Sequence, residues 1–102
     1  MDVYVRSGDS LWYYSQLFKV PFRLIIDSNR NIDPQTLSIG ARIQIPGYVT
    51  TSYQIKSGDS LWSIASSRNL PLDTLFLVNP TLNPAFLRIG QTINIPIRVT
   101  WR

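Results

Sequence analysis

The sequence predicts an α+β protein made of two small βααβ units, each a two-stranded antiparallel sheet packed on two helices. Three observations lead there. The hexapeptide Ser7-Gly8-Asp9-Ser10-Leu11-Trp12 recurs letter for letter as Ser57-Gly58-Asp59-Ser60-Leu61-Trp62, fifty residues later. The same offset, carried on without a gap, aligns Pro21 with Pro71, Asn29 with Asn79, Pro34 with Pro84 and Leu37 with Leu87. It then aligns Ile39-Gly40 with Ile89-Gly90, and Ile43, Ile45 and Pro46 with Ile93, Ile95 and Pro96. Within each copy the apolar period passes from two to helical spacing and back to two.

The elements follow in order. Val3 and Val5 alternate with Tyr4 and Arg6 as a half-buried strand, and Tyr53 and Ile55 repeat the pattern. The Ser-Gly-Asp-Ser turn then opens a helix. Gly8 supplies backbone freedom, and Asp9 or Ser10 can cap the orphan amides of the first turn. Leu11, Tyr14, Ser15 and Phe18 share one helical face, as do Leu61, Ile64 and Ala65. These helices are expected to end near Lys19 and Asn69, ahead of Val20-Pro21 and Leu70-Pro71.

The prolines start a second short helix. Its apolar face is Phe22, Ile25 and Ile26 in the first copy, and Leu72, Leu75 and Phe76 in the second. Asn29 and Asn79 fit the helix C-terminus, where asparagine tolerates a left-handed turn. A loop leads to Gly40 or Gly90, and Ile43 and Ile45, or Ile93 and Ile95, form a closing strand that Pro46 or Pro96 stops. The expected domains are therefore residues 1–46 and 53–96, with an uncharged linker at 47–52 and a tail at 97–102 leading towards a further C-terminal region.

Composition narrows the chemistry. Among 102 residues there is no cysteine and no histidine, and all six acids are aspartates. Disulfide staples and thiolate metal sites are excluded, and the usual general base is missing. No metal site and no cofactor are expected. Each unit is near the size at which a lone core becomes marginal. The net charge of +4 suits polyanionic surroundings. No apolar run approaches the ~18 residues of a membrane span, and Met1 leads almost directly into the first repeat, so no signal peptide is expected.

Candidate catalytic groups do not recur as a pair. A glycosidase needs two carboxylates flanking one bond, yet only Asp9/Asp59 is repeated; Asp27 faces Leu77, Asp33 faces Asn83, and Asp73 faces Arg23. One acid at a helix start reads as a capping or turn residue. Ser10 and Ser60 have no repeated histidine or lysine to activate them, so no catalytic residue is assigned. Trp12 and Trp62 suit either a sugar or base stack or, with more weight, a half-buried place beside the strand. Of the basic positions only Arg6/Lys56 repeats its charge, which weighs against a nucleic-acid stripe. A small basic nucleic-acid-binding protein is the alternative reading.

The whole pattern resembles the LysM family of carbohydrate-binding modules. The resemblance is carried by Tyr53 to Ala65, Val78-Asn79-Pro80 and Leu87 to Pro96. In the first copy it is carried by Val5 to Trp12, Asn29, Ile39-Gly40 and Ile43-Gln44-Ile45-Pro46. It implies a βααβ fold that binds N-acetylglucosamine-containing glycans, such as peptidoglycan or chitin, without catalysis. By position, the implied grooves are Gly8, Asp9, Ser10 and Leu11 with Asn29, Arg30, Asn31 and Ile32, and Gly58, Asp59, Ser60 and Leu61 with Asn79, Pro80, Thr81 and Leu82. Arg30 stands where the family more often has a proline. The lack of disulfides favours a bacterial wall-binding type. A paired module at a chain's start also resembles the N-terminus of bacterial γ-D-glutamyl-L-diamino acid endopeptidases. That likeness implies a targeting role for an attached peptidoglycan hydrolase, at the cell wall or on the spore.

Overall fold

The computed structural model describes residues 1–99 and has the expected order of elements. In the first half, β1 (Asp2–Tyr4), α1 (Leu11–Phe18), α2 (Phe22–Ser28) and β2 (Arg42–Gln44) follow one another. In the second, β3 (Tyr48–Gln54), α3 (Leu61–Ser67), α4 (Leu72–Val78) and β4 (Thr92–Arg98) repeat the series, with a short 3-10 turn at Pro84–Phe86. Two sheets result, β1 with β2 and β3 with β4. The chain divides into two compact units: Met1–Val49 together with Arg98 and Val99, and Thr50–Ile97.

In the first unit β1 and β2 run antiparallel, with Val3 opposite Ile43. Val3, Val5, Leu11, Tyr14, Phe18, Ile25, Ile43 and Ile45 are buried, so the strand faces and the α1 stripe meet in one core as their spacing requires. The second core gathers Ile55, Leu61, Ile64, Ala65, Leu75, Ile93 and Ile95. Above each sheet the turn before the closing strand is pinned: the Gly40 amide donates to the Val5 carbonyl at 2.8 Å, and Gly90 to Ile55 at 2.7 Å.

The second helices differ from the expected face. In α2 only Ile25 is fully buried and Phe22 lies at the surface, whereas α4 buries Thr74, Leu75, Leu77 and Val78. The wider stripe of α4 comes from Thr74, Leu77 and Val78, where α2 has Leu24, Asp27 and Ser28.

Helix ends correct two expectations. Asn29 and Asn79 do end α2 and α4, but at φ −134 and −133, which is not left-handed. The left-handed residues are Lys19 (φ 57) and Asn69 (φ 56), after the first helix of each unit. The asparagines instead use their side chains. Asn29 Nδ2 donates to the Ile25 carbonyl (2.7 Å) and the Gln44 carbonyl (2.9 Å), and its Oδ1 accepts the Gln44 amide at 2.8 Å. Asn79 repeats this on Leu75 and Asn94, with all three bonds at 2.8 Å.

Pro96 does not stop β4, which continues to Arg98. The Ile55 amide donates to the Gln91 carbonyl and the Val99 amide to the Gly47 carbonyl, so the odd-numbered residues of β4 face β3 with their hydrogen-bonding groups. Pro96 falls between them, where its missing N–H removes nothing from the ladder. Most of the stretch expected as a linker, residues 47–52, is accordingly strand.

Of the expected tail, Ile97 and Arg98 are also strand. Arg98 Nη2 donates to the Phe18 and Lys19 carbonyls, both at 2.9 Å, and the Tyr48 hydroxyl donates to the Phe18 carbonyl at 2.7 Å. Together they satisfy acceptors left open at the end of α1. Residues 100–102 lie outside the described residues.

Removing the amide staple should therefore cost more than a surface change. Asn29→Ala strips partners from buried backbone groups and is expected to destabilise the first unit by about 1–3 kcal/mol, read from residue-resolved hydrogen exchange. The more exposed Asn79 is expected to matter less. A loss spread equally over both units would contradict the local role.

Candidate functional site

Each unit presents an exposed turn ahead of its first helix. Gly8 (φ 87) and Gly58 (φ 86) adopt a left-handed backbone that only glycine accepts at little cost, and a Cβ at either would meet open space. Among the described residues, the backbone amides and carbonyls of Gly8 and Gly58 make no hydrogen bond. Those groups are open to a ligand.

The residues around the glycine have their side chains occupied. Ser10 and Ser60 are the N-caps, accepting the amides of Tyr13 and Ser63, each at 3.0 Å. In the second unit the Ser63 hydroxyl also accepts the Ser60 amide, which closes a capping box. Asp9 and Asp59 are therefore not caps. Asp9 Oδ2 accepts the Arg6 amide and Arg6 Nε at 3.0 Å and the Tyr14 hydroxyl at 2.8 Å, while Oδ1 accepts Arg6 Nη2 at 3.0 Å. Asp59 Oδ2 accepts the Lys56 amide (2.8 Å) and the Tyr53 hydroxyl (2.6 Å).

The two phenols come from different places. Tyr14 lies on α1 and is wholly buried, whereas Tyr53 lies on β3 and is partly exposed. The sequence places Tyr14 on the buried face of α1, and its hydroxyl is matched there by Asp9. The signal was available in the exchange of Val3 and Tyr14 for Tyr53 and Ile64, which leaves one tyrosine per repeat at these two positions.

These contacts set the electrostatics. Burial alone would raise the Asp9 pKa, but hydrogen bonds from the Arg6 side chain, Tyr14 and the Arg6 amide outweigh it, with the Arg6 charge, and hold the carboxyl below its ordinary range. The hydrogen bond from Tyr53, then that from the Lys56 amide, lower Asp59. Burial, followed by the bond to Asp9, pushes the Tyr14 phenol far up. Both acids are ionised turn-holders, without the raised pKa that a general acid needs.

On the other side of each candidate groove, Asn29 and Asn79 are committed to their staples. Arg30, Asn31, Pro80 and Thr81 are exposed, and Ile32 and Leu82 are partly buried. The Ile32 amide donates to the Asn29 carbonyl, and Leu82 to Asn79, each at 3.0 Å. Leu82 packs on the core cluster of the second unit. Leu11 and Leu61 are themselves buried, and their side chains serve the core rather than a ligand. Trp12 and Trp62 correct the half-buried expectation: they are 58% and 68% exposed, with Trp12 edge-on to Phe22 at 5.5 Å. No group of acids that could hold a metal ion occurs among the described residues.

The LysM domain profile matches residues 3–46 and 53–96. The chain belongs to the LysM family. LysM domains as a class bind N-acetylglucosamine-containing glycans and target hydrolases. A 55-residue segment, 54% of the chain, is 69% identical to γ-D-glutamyl-L-diamino acid endopeptidase 1 of Lysinibacillus sphaericus and spans 14% of that protein. Among solved structures, the LysM domain of a Volvox carteri chitinase is 41% identical, covering 48% of this chain and all of that one, at a TM-score of 0.46. The Bacillus megaterium spore cortex-lytic enzyme SleL is 28% identical, covering 93% of this chain and 22% of that one, at 0.43. The expected resemblance to LysM modules and to this type of endopeptidase is met. The two LysM domains account for most of the chain.

The turn acids give a prediction with a definite sign. Asp9 has a lower pKa folded than unfolded, so its stabilisation is complete above the ordinary value of 3.8 and is lost as pH falls through the lowered one. Asp9→Ala leaves the Tyr14 hydroxyl buried without its acceptor and is expected to cost about 1–3 kcal/mol near neutral pH. The cost should shrink on acidification, as denaturant titrations at pH 7 and pH 2.5 would show. Asp59→Ala, at a solvated site, is expected to cost less.

Proposed function

We propose that both LysM units bind N-acetylglucosamine-containing glycan, peptidoglycan above all, and that the chain anchors an attached wall hydrolase to its substrate. The observation that carries this reading is the pair of exposed glycine turns, each with unpaired backbone groups. Sugar hydroxyls and N-acetyl groups are neutral donors and acceptors, and such backbone groups match them without a charge. The capped serines and bonded aspartates hold the turn's shape, and the contact surface is the backbone of Gly8 and Gly58 with Arg30, Asn31 and Ile32, or Pro80, Thr81 and Leu82.

The endopeptidase relative supports the attachment and a place at the cell wall. A catalytic region joined to this one would then cleave while the LysM pair holds the polymer. No observation favours nucleic acid over glycan. The net charge of +4 would make phosphate binding collapse as salt is raised, whereas binding to neutral chito-oligomers should change little.

Titrating N-acetylglucosamine oligomers while following backbone amide shifts tests the grooves. Shifts are expected at Gly8–Leu11 and Asn29–Ile32, and at Gly58–Leu61 and Asn79–Leu82. Shifts that avoid all four segments would sink the proposal.

Two weak sites on one chain should also act together, because the second binding event is intramolecular at roughly millimolar effective concentration. The open space above each glycine allows a groove to be filled in the intact chain, and asparagine is among the residues that best tolerate the positive φ. Gly8→Asn or Gly58→Asn alone should weaken retention on insoluble peptidoglycan, and the double variant should abolish it. Short oligomers should bind each single variant at its intact groove as they bind the parent.

A further inference from the structure

The first unit has a second concavity that shares no residue with the glycine-turn groove. It is a cleft of about 570 Å³, a volume in the range of small-ligand sites, beside α2 and the turn that follows β2. Its walls are mainly apolar, with Val20, Pro21, Leu24 and the Tyr48 ring among them. Three charged residues stand on it: Arg98, whose guanidinium is held on the Phe18 and Lys19 carbonyls, Lys19, just before the start of α2, and Asp27, near its end, so the pair left for a ligand is Lys19 and Asp27. Pro21 and Asp27 are six residues apart, which is roughly 9 Å along a helix at 1.5 Å per residue. Both Lys19 and Asp27 are exposed.

The position is particular to this unit. Where α2 has Leu24, Asp27 and Ser28 on the cleft, α4 has Thr74, Leu77 and Val78, all buried. Asn69 stands in place of Lys19. The charged pair is thus not part of what the repeat needs to fold.

We infer that this cleft binds a short peptide carrying a free carboxylate and a free ammonium group, its carboxylate on Lys19, its ammonium on Asp27, and small apolar side chains between them. A neutral sugar would leave both charges unanswered, and a polyanion would meet Asp27. A zwitterionic peptide with methyl-sized side chains answers both ends and covers the apolar walls. The cleft would then let the first unit bind a peptide as well as the glycan.

The test uses trialanine, whose ammonium and carboxylate flank methyl side chains, and its N-acetylated, C-amidated counterpart, which carries neither charge, titrated into the whole chain with backbone amide shifts as the readout. The free peptide is expected to move Lys19–Asp27 and Gly47–Tyr48 and to leave Gly8 and Asn31 in place; the blocked peptide should bind more weakly. Lys19→Asn, which puts the second repeat's residue at the same left-handed position, and Asp27→Asn should each weaken the peptide about two- to fivefold, the worth of an exposed ion pair. Neither should alter binding of N-acetylglucosamine oligomers. Peptide shifts elsewhere, equal binding of the blocked peptide, or variants that bind like the parent would overturn the inference. Failure of the sugar titration would overturn the groove alone.

Discussion

The primary amide at the end of each second helix is the contact on which the rest of a unit depends. One side chain from α2 or α4 makes three bonds to backbone, two of them to a single residue of the closing strand. A strand in a two-stranded sheet has one edge unpaired, and two strands alone are marginal. The asparagine takes up one residue's worth of that open edge and fixes the helix end against it. Aspartate has no donor for the carbonyls, and alanine has neither donor nor acceptor. Glutamine, one methylene longer, would have to buckle. This explains an asparagine in both copies on structural grounds, whatever the ligand.

A similar economy governs the first turn. An aspartate, an amide three residues earlier and a tyrosine hydroxyl close the same loop in both units, yet the tyrosine comes from α1 in one and β3 in the other. The carboxylate needs a second donor to offset its partial burial, and either neighbouring element can supply one. In the first unit Arg6 adds a side-chain pair at 3.0 Å with the Asp9 carboxylate, which is nearly buried. In the second, Arg68 and Lys56 lie over the Tyr53 ring at 4.8 Å and 5.9 Å instead. The turn is therefore held more deeply in one unit and more superficially in the other, with the exposed glycine alike in both.

Much of this was legible in the sequence because repetition separates what the fold requires from what varies. The offset alone located both units, the buried stripe of α1 and α3, and the glycine turns, though not which residue of each turn is the cap. Long-range pairing was not legible. Nothing local to Asn29 says that its amide meets the backbone of Gln44, fifteen residues on. The period-two pattern at Ile93 and Ile95 could not tell whether Pro96 ended the strand, since that depends on which edge its nitrogen faces. Trp12 and Trp62 misled for another reason: a large apolar side chain invites a buried reading, and the positions beside them on the helix had already filled the core.

On the proposed reading, side chains build the site and backbone offers it. The serine, aspartate and asparagine that make the motif recognisable are spent on capping, turn closure and stapling. What remains outward is the unpaired peptide of a glycine that has no side chain to obstruct it. A surface of that kind suits a neutral, hydroxyl- and amide-bearing polymer, since it exchanges water for hydrogen bonds of similar strength. Each such exchange yields only about 0.5–1.5 kcal/mol, so a lone unit has little to hold with. Doubling the unit is then a direct answer to the weakness of backbone recognition. It also frees the flanking positions, Arg30 against Pro80 and Asn31 against Thr81, to differ between copies without loss of the turn on which each groove is built.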